Sequence, residues 1–110
     1  MAAPAAALLD AWRRALVGVV RMPGPDLTAR QLAILLTVYT GAPPHSVVGL
    51  AEAFAVPHQA VSRAVATLER QDLVRRTRCP TDRRVQFVQR TVKGAVYLRD
   101  LADLIGDTSG

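Results

Sequence analysis

The segment AEAFAVPHQAVSRAVATLERQDLVRRTRCPTDRRVQFVQR, residues 51–90, decides the fold, because its period changes halfway. From Pro57 to Gln71 the apolar positions are Val61, Ala64, Val65 and Leu68. They are spaced three and four apart, which predicts a helix with one inward face. Pro57 stands in the first turn, where a helix tolerates proline. Beyond Gln71 the helical spacing is gone. Leu73–Arg78 and Val85–Arg90 are two short, partly alternating runs. Cys79, Pro80, Thr81, Asp82, Arg83 and Arg84 separate them, which predicts a small β-hairpin.

Just upstream, Ser46 is a plausible N-cap for a short helix through Leu50, Ala51 and Phe54. Ala51 is small, Ala55 starts a turn, and Val56, Val61 and Ala64 follow at spacings that let two helices cross closely. A short helix, a tight turn and a longer helix read as a helix-turn-helix. In that motif the second helix enters the major groove of DNA. Its outward residues here are His58, Gln59, Ser62 and Arg63. Gln pairs bidentately with adenine, and Arg with guanine or a phosphate. Arg70, two turns on, reaches backbone at most. The hairpin tip carries Asp82, Arg83 and Arg84. Its two guanidinium groups suit a narrow minor groove, where negative potential concentrates. Asp82 repels phosphate itself, so its expected task is to orient a neighbouring Arg.

Charge points the same way. The 110 residues carry 14 Lys+Arg against 9 Asp+Glu, a formal net charge of +5. Residues 57–90 hold eight arginines against Glu69, Asp72 and Asp82, so the whole excess lies there. The remaining bases and acids cancel. A localised basic stretch is the electrostatic footprint of a phosphate-binding surface. The blander reading of such a stretch is a solvated arginine face.

Outside this segment the chain reads as further helices. Residues 4–21 carry a stripe of Leu9, Trp12, Leu16, Val19 and Val20, with Asp10 and Arg14 paired on another face. Pro23, Gly24 and Pro25 stop that helix. Thr28 opens the next, with Gln31 at capping-box spacing. Leu32, Leu35, Leu36 and Tyr39 line one face, and Ile34 and Val38 widen it into the expected centre of the core. Gly41, Pro43 and Pro44 end it. Thr91 caps a last helix to about Ile105 with two apolar stripes, Ala95-Leu98-Ala102-Ile105 and Tyr97-Leu101-Leu104. The tail from Gly106 should fray.

Several classes are excluded. The length suits one domain spanning 1–110. A single cysteine rules out a disulfide framework, and the Cys and His count rules out a zinc finger. No apolar run reaches the roughly 18 residues of a membrane span. Asp10, Arg13 and Arg14 interrupt the apolar start, which argues against a secretory signal. A cytoplasmic domain is expected. No nucleophile–base pair, metal cluster or glycine-rich phosphate loop is present, so no enzyme, cofactor or metal is expected.

From Leu27 to Gly94 the chain resembles the MarR family of bacterial transcriptional regulators. The residues that carry the resemblance are Leu27-Thr28 with Gln31, Leu50-Ala51, Val61-Ser62-Arg63, Leu68-Glu69 and Leu73-Val74-Arg75-Arg76. It continues through Asp82-Arg83-Arg84 to Thr91 with Gly94, and the run from Arg76 to Gly94 is the most specific part. The resemblance implies a mainly α winged helix-turn-helix, four helices, two strands and a helix. It implies a dimeric double-stranded-DNA-binding repressor or activator, with recognition helix 57–71 in the major groove and wing 79–84 in the minor groove. Arg84 matches the wing arginine and Asp82 the acid that positions it. The first and last helices, 1–21 and 92–105, would form the homodimer interface. The double stripe on the last helix supports this independently, since one stripe suffices for its own domain. Leu9, Trp12 and Leu16 would be the second half of the same interface, beside Tyr97, Leu101 and Leu104.

Two departures stand out. Asp72 occupies the turn where the family usually has Gly, and Asp tolerates the left-handed conformation. The chain also ends soon after the last helix, so the dimer is expected to be smaller, arranged differently or absent. The small-molecule effector pocket, implied where dimer and DNA-binding parts meet, is put in question with it. Cys79 reads as an ordinary thiol beside Arg76 and Arg78, with oxidant sensing the minor alternative. His45 reads as inert. A second reading of the whole chain is a winged-helix protein-interaction or dimerisation module without its own operator. The arginines on the reading helix and hairpin weigh against it. A third, weaker reading is a non-specific architectural DNA binder.

Overall fold

The structure is a computed structural model and describes residues 4–106. The expectation for the tail beyond Gly106 lies outside the described residues. The element order is α1 (Ala5–Arg21), α2 (Ala29–Thr40), α3 (Val47–Phe54), α4 (His58–Arg70), β1 (Val74–Arg78), β2 (Gln86–Arg90) and α5 (Val92–Gly106). This is the winged helix-turn-helix order read from the sequence. The chain divides into two compact units.

The larger unit, Leu27–Val96, holds α2, α3, α4, the hairpin and the first turn of α5. Local chemistry sets its helix starts. Thr28 and Gln31 form the full capping box at the head of α2. Ser46 accepts the Gly49 N–H at the head of α3. The core is aliphatic. Leu32, Ile34, Leu35 and Val38 of α2 are buried, as are Leu50 and Ala51 of α3 and Val61, Ala64, Val65 and Leu68 of α4. Leu36, expected on the buried face of α2, is 38% exposed instead. The helix turns Leu32, Leu35 and Val38 inward, and Leu36 falls beyond the edge of that stripe.

Two residues turn the chain through left-handed backbone. Ala55 ends α3 at φ 55°, ψ 45°, donating its N–H to Glu52. Asp72 follows α4 at φ 60°, in the conformation expected of it. The hairpin is antiparallel, pairing Val74 with Arg90 and Arg78 with Gln86. A third extended segment joins it, which the sequence did not announce. Ser46 bridges Phe87, and the Val88 N–H donates to the His45 carbonyl at 2.8 Å.

The Tyr39 hydroxyl closes the unit. It accepts the Thr91 N–H at 2.8 Å and lies 3.0 Å from the Leu73 carbonyl oxygen. Thr91 donates its own hydroxyl to the Asp72 carbonyl and accepts the Gly94 N–H, so it caps α5 as expected. A Cβ on Gly94 would land on the Tyr39 phenol oxygen and the Leu73 carbonyl oxygen, so only glycine fits there.

The smaller unit holds α1 and the part of α5 from Tyr97 onward. The two helices approach closely at Gly18, where an added Cβ would come 3.0 Å from Leu101 Cδ1. Val19, Met22 and Leu101 are buried there. The Asp10–Arg14 pair expected from sequence is absent. Asp10 pairs with Arg13 at 2.9 Å. Arg14 instead donates to the Ile105 carbonyl at 2.7 Å. The last carbonyls of a helix lack intrahelical partners, and a cation there also complements the helix dipole. No helix among the described residues is long and apolar enough to cross a membrane.

Candidate nucleic-acid interface

The reading helix presents the residues the sequence singled out. His58, Gln59 and Arg63 are exposed on α4, and Ser62 is half-buried. The opposite face of α4 is buried, which fixes the helix and leaves this row outward. Pro57 is the N-cap and gives no side-chain cap, so the first N–H groups of α4 stay available to an acceptor such as phosphate. Beside this row lies a groove of about 350 Å³ between α2 and α4, lined by Thr28, Arg30, Gln31, Gln59 and Arg63. Arg30 was not singled out from sequence. Its place in the same groove as Arg63 depends on how the two helices pack, and no local motif announces that.

The wing is organised by Asp82. Its carboxylate accepts the Arg84 backbone N–H at 3.1 Å, Arg84 Nε at 3.1 Å and Arg84 Nη2 at 3.3 Å. The Arg84 hydrogen bonds hold the Asp82 carboxyl below its ordinary range. Arg84 remains 90% exposed, so the pair is a surface one with a directed guanidinium rather than a buried bridge. The loop is further tied by Val85 N–H to the Asp82 carbonyl and by Cys79 N–H to the Val85 carbonyl. Arg78 donates to the Arg83 carbonyl at 2.9 Å, which occupies Arg78 in holding the wing. Arg83 is exposed.

Cys79 differs from its expected surroundings. The Thr81 hydroxyl, 3.2 Å from Sγ, is the first cause that holds its thiol below the ordinary range. Backbone groups of Thr81 and Asp82 act the same way, and the Asp82 charge opposes them. The arginines named from sequence are not among the causes.

At the base of the wing, Glu69 accepts both the backbone N–H and the Nε of Arg76. This bond runs from the end of α4 to β1 and spans a turn, so sequence spacing did not show it.

The residues expected at a homodimer interface are divided. Leu9, Trp12 and Leu16 are 67%, 52% and 42% exposed, and with Val20 they make an open apolar face on α1. Leu101 is only 4% exposed and packs on Gly18 within its own chain. Tyr97 and Leu104 are half-buried. The Tyr97–Leu101–Leu104 stripe is thus turned at least partly inward. Burial, and secondarily the Asp26 charge, raises the Tyr97 phenol above its ordinary range.

Comparison with known proteins agrees with this geometry. The model of the MarR family matches residues 9–85. Transcriptional regulator Tm0710 from Thermotoga maritima is 25% identical, with a TM-score of 0.73, over 91% of this chain and 70% of that one. A mutant MarR from E. coli, solved in complex with operator DNA, is 24% identical at TM-score 0.73 over 90% of this chain and 68% of its own. A mutant MepR from S. aureus, bound to an oligodeoxyribonucleotide, is 19% identical at TM-score 0.78 over 90% and 70%. The chain belongs to the MarR family of DNA-binding transcriptional regulators, which are not enzymes.

Proposed function

We propose that this regulator is a sequence-specific repressor that binds duplex DNA as a homodimer in the cytoplasm, with residues 1–110 acting as one winged-helix module. Helix 57–71 reads the major groove through His58, Gln59, Ser62 and Arg63. Wing 79–84 enters the minor groove with Arg84, which Asp82 orients, and Arg83 contacts the adjoining backbone. The observation that carries this reading is the pairing of an exposed polar row on α4 with a wing arginine held by three hydrogen bonds. Both lie in the segment that holds the whole net charge. Operator DNA and an oligodeoxyribonucleotide in complexes of E. coli MarR and S. aureus MepR support the same partner. The helices at 1–21 and 92–105 supply the dimer contacts, chiefly through Leu9, Trp12 and Leu16.

Selection from random duplexes tests the proposal. The expected product is a pseudo-palindrome with half-site centres about 10 base pairs apart. Affinity for it should fall steeply between about 50 and 200 mM salt as counterions are released. Failure to enrich any sequence, with equal and salt-insensitive binding to all duplexes, would overturn it. A stable protein partner covering Gln59–Arg63 would instead favour an interaction module.

A further inference from the structure

Helix α2 carries a single charged residue. Of its 12 residues only Arg30 is ionised at neutral pH. Arg30 lines the groove of about 350 Å³ between α2 and α4, together with Thr28, Gln31, Gln59, Arg63 and Thr67. No residue lining this groove is acidic. Arg30 and Arg63 are both exposed. Neither enters an ion pair among the described residues, and Arg63 gives only its backbone carbonyl to the Thr67 hydroxyl.

Other arginines nearby are engaged within the protein. Arg70 donates to the Thr67 hydroxyl, Arg76 to Glu69, Arg78 to the Arg83 carbonyl, and Arg90 to the Val38 and Gly41 carbonyls. Arg84 is paired with Asp82. Arg30 and Arg63 have no such task. Simple solvation accounts for either one alone. Two like charges that line one groove with no acid between them focus positive potential there, and an anion seated between them relieves their repulsion. The polar groups on the α2 wall do not compete for Arg30. The Thr28 and Gln31 side chains are already engaged with each other's backbone N–H in the capping box.

We propose that this groove seats one phosphate of the DNA backbone, held by Arg30 from α2 and by Arg63 from α4. The assignment rests on the reading that α4 faces duplex DNA, and it gives α2 a part in binding. The outward row of α4 meets the bases while Arg30 clamps the strand at the rim of the same groove. A phosphodiester carries no sequence information, so this clamp fixes register and orientation rather than choice of base. A guanidinium fork suits the two non-bridging oxygens of a phosphodiester.

The test uses duplexes of the selected sequence in which one linkage at a time is a neutral methylphosphonate. Neutralising the phosphate held by Arg30 should weaken the unmodified protein about ten-fold. The same linkage should hardly affect Arg30→Gln, which has already lost that contact, and Arg63→Gln should lose sensitivity at the same linkage. On unmodified duplexes Arg30→Gln should lose affinity equally for selected and random sequences. Its salt slope should fall by about 0.9 for each protomer bound. Arg30→Lys should keep the slope and lose part of the affinity. Glutamine and lysine both favour helix, so neither variant disturbs α2 at this exposed position. An unchanged slope in Arg30→Gln, or no linkage to which it becomes indifferent, would overturn the clamp and leave DNA binding standing. A changed sequence preference in Arg30→Gln would make Arg30 a reader of bases and overturn it too. If the unmodified protein bound no duplex at all, the clamp and the DNA reading would fall together.

Discussion

Glu69 Oε1 lies 3.2 Å from Arg76 Nε, and Glu69 Oε2 accepts the Arg76 backbone N–H at 3.0 Å. One carboxylate thus joins the last turn of the reading helix to the first strand of the wing. The backbone hydrogen bond is the main cause that lowers the Glu69 carboxyl below its ordinary 4.5, with burial opposing and Arg76 adding to it. A lowered carboxyl contributes stability that is present above the unfolded value and lost as pH falls through the folded one. Unfolding should therefore become easier below about pH 4.5. Glu69→Gln should flatten that part of the pH profile. Its cost at neutral pH should be on the order of 1 kcal/mol, because the pair is partly solvated. Urea melts of both proteins across pH 3 to 7 check this. An unchanged acid limb in the variant would rule out the role given to Glu69.

The Asp82–Arg84 pair makes a separable prediction. Arg84→Ala should weaken operator binding chiefly where the flanks are A·T-rich. If Arg84 meets a phosphate as well, the salt slope should fall by about 0.9. Asp82→Asn keeps a hydrogen-bond acceptor but loses the charge that aligns the guanidinium, so its loss should be smaller and of the same sequence dependence. Titrations on A·T-flanked and G·C-flanked duplexes decide it. Uniform loss on both would assign Arg84 to non-specific backbone contact.

Gln59 should behave differently. Gln59→Ala removes a base-edge contact and should relax preference at one position per half-site, by about 1–3 kcal/mol of discrimination. Affinity for sequences already mismatched there should barely change. Repeating the selection with the variant tests this. An unaltered motif would exclude Gln59 from base reading.

What was legible in the sequence was short in range. Thr28 with Gln31, Ser46 before α3, and Asp82 two residues from Arg84 all act within a few residues, where spacing determines geometry. The inward face of α4 was legible because periodicity alone orients a helix. What was missed depends on segments far apart in the chain. Arg14 prefers a carbonyl 91 residues away to the nearby Asp10. Arg90 is committed to α2 carbonyls across 52 residues and 49 residues. Leu101 looked like part of an outward stripe, yet glycine at position 18 lets α1 approach it and bury it. In each case the deciding neighbour comes from a segment far away in the chain, and for Arg14 it displaces one that the local spacing offered.

The open apolar face of α1 predicts self-association. Leu9, Trp12, Leu16 and Val20 are all largely exposed on one helix, and grouped apolar exposure marks an interface more often than free surface. Sedimentation should show a concentration-dependent dimer. Trp12→Glu should shift it to monomer, and operator affinity should fall with it because two half-sites are no longer engaged together. A dimer unaffected by Trp12→Glu and Leu16→Glu would place the interface elsewhere.

Ala55 holds the turn between α3 and α4 at φ 55°, where its Cβ is crowded by the backbone. Left-handed backbone costs a non-glycine residue roughly 1–2 kcal/mol. Glycine removes that strain but gains freedom in the unfolded chain, an offset of about 0.4–1 kcal/mol. The strain is the larger of the two, and Ala55 is exposed, so its methyl contributes little packing. Ala55→Gly should therefore stabilise the protein by about 0.5–1 kcal/mol, seen as a higher urea midpoint at unchanged slope. Ala55→Val should destabilise it, since a β-branched side chain is a genuine outlier at positive φ. Two destabilised variants would mean that the methyl packs against the turn and that the strain is already relieved by the Ala55 N–H bond to Glu52.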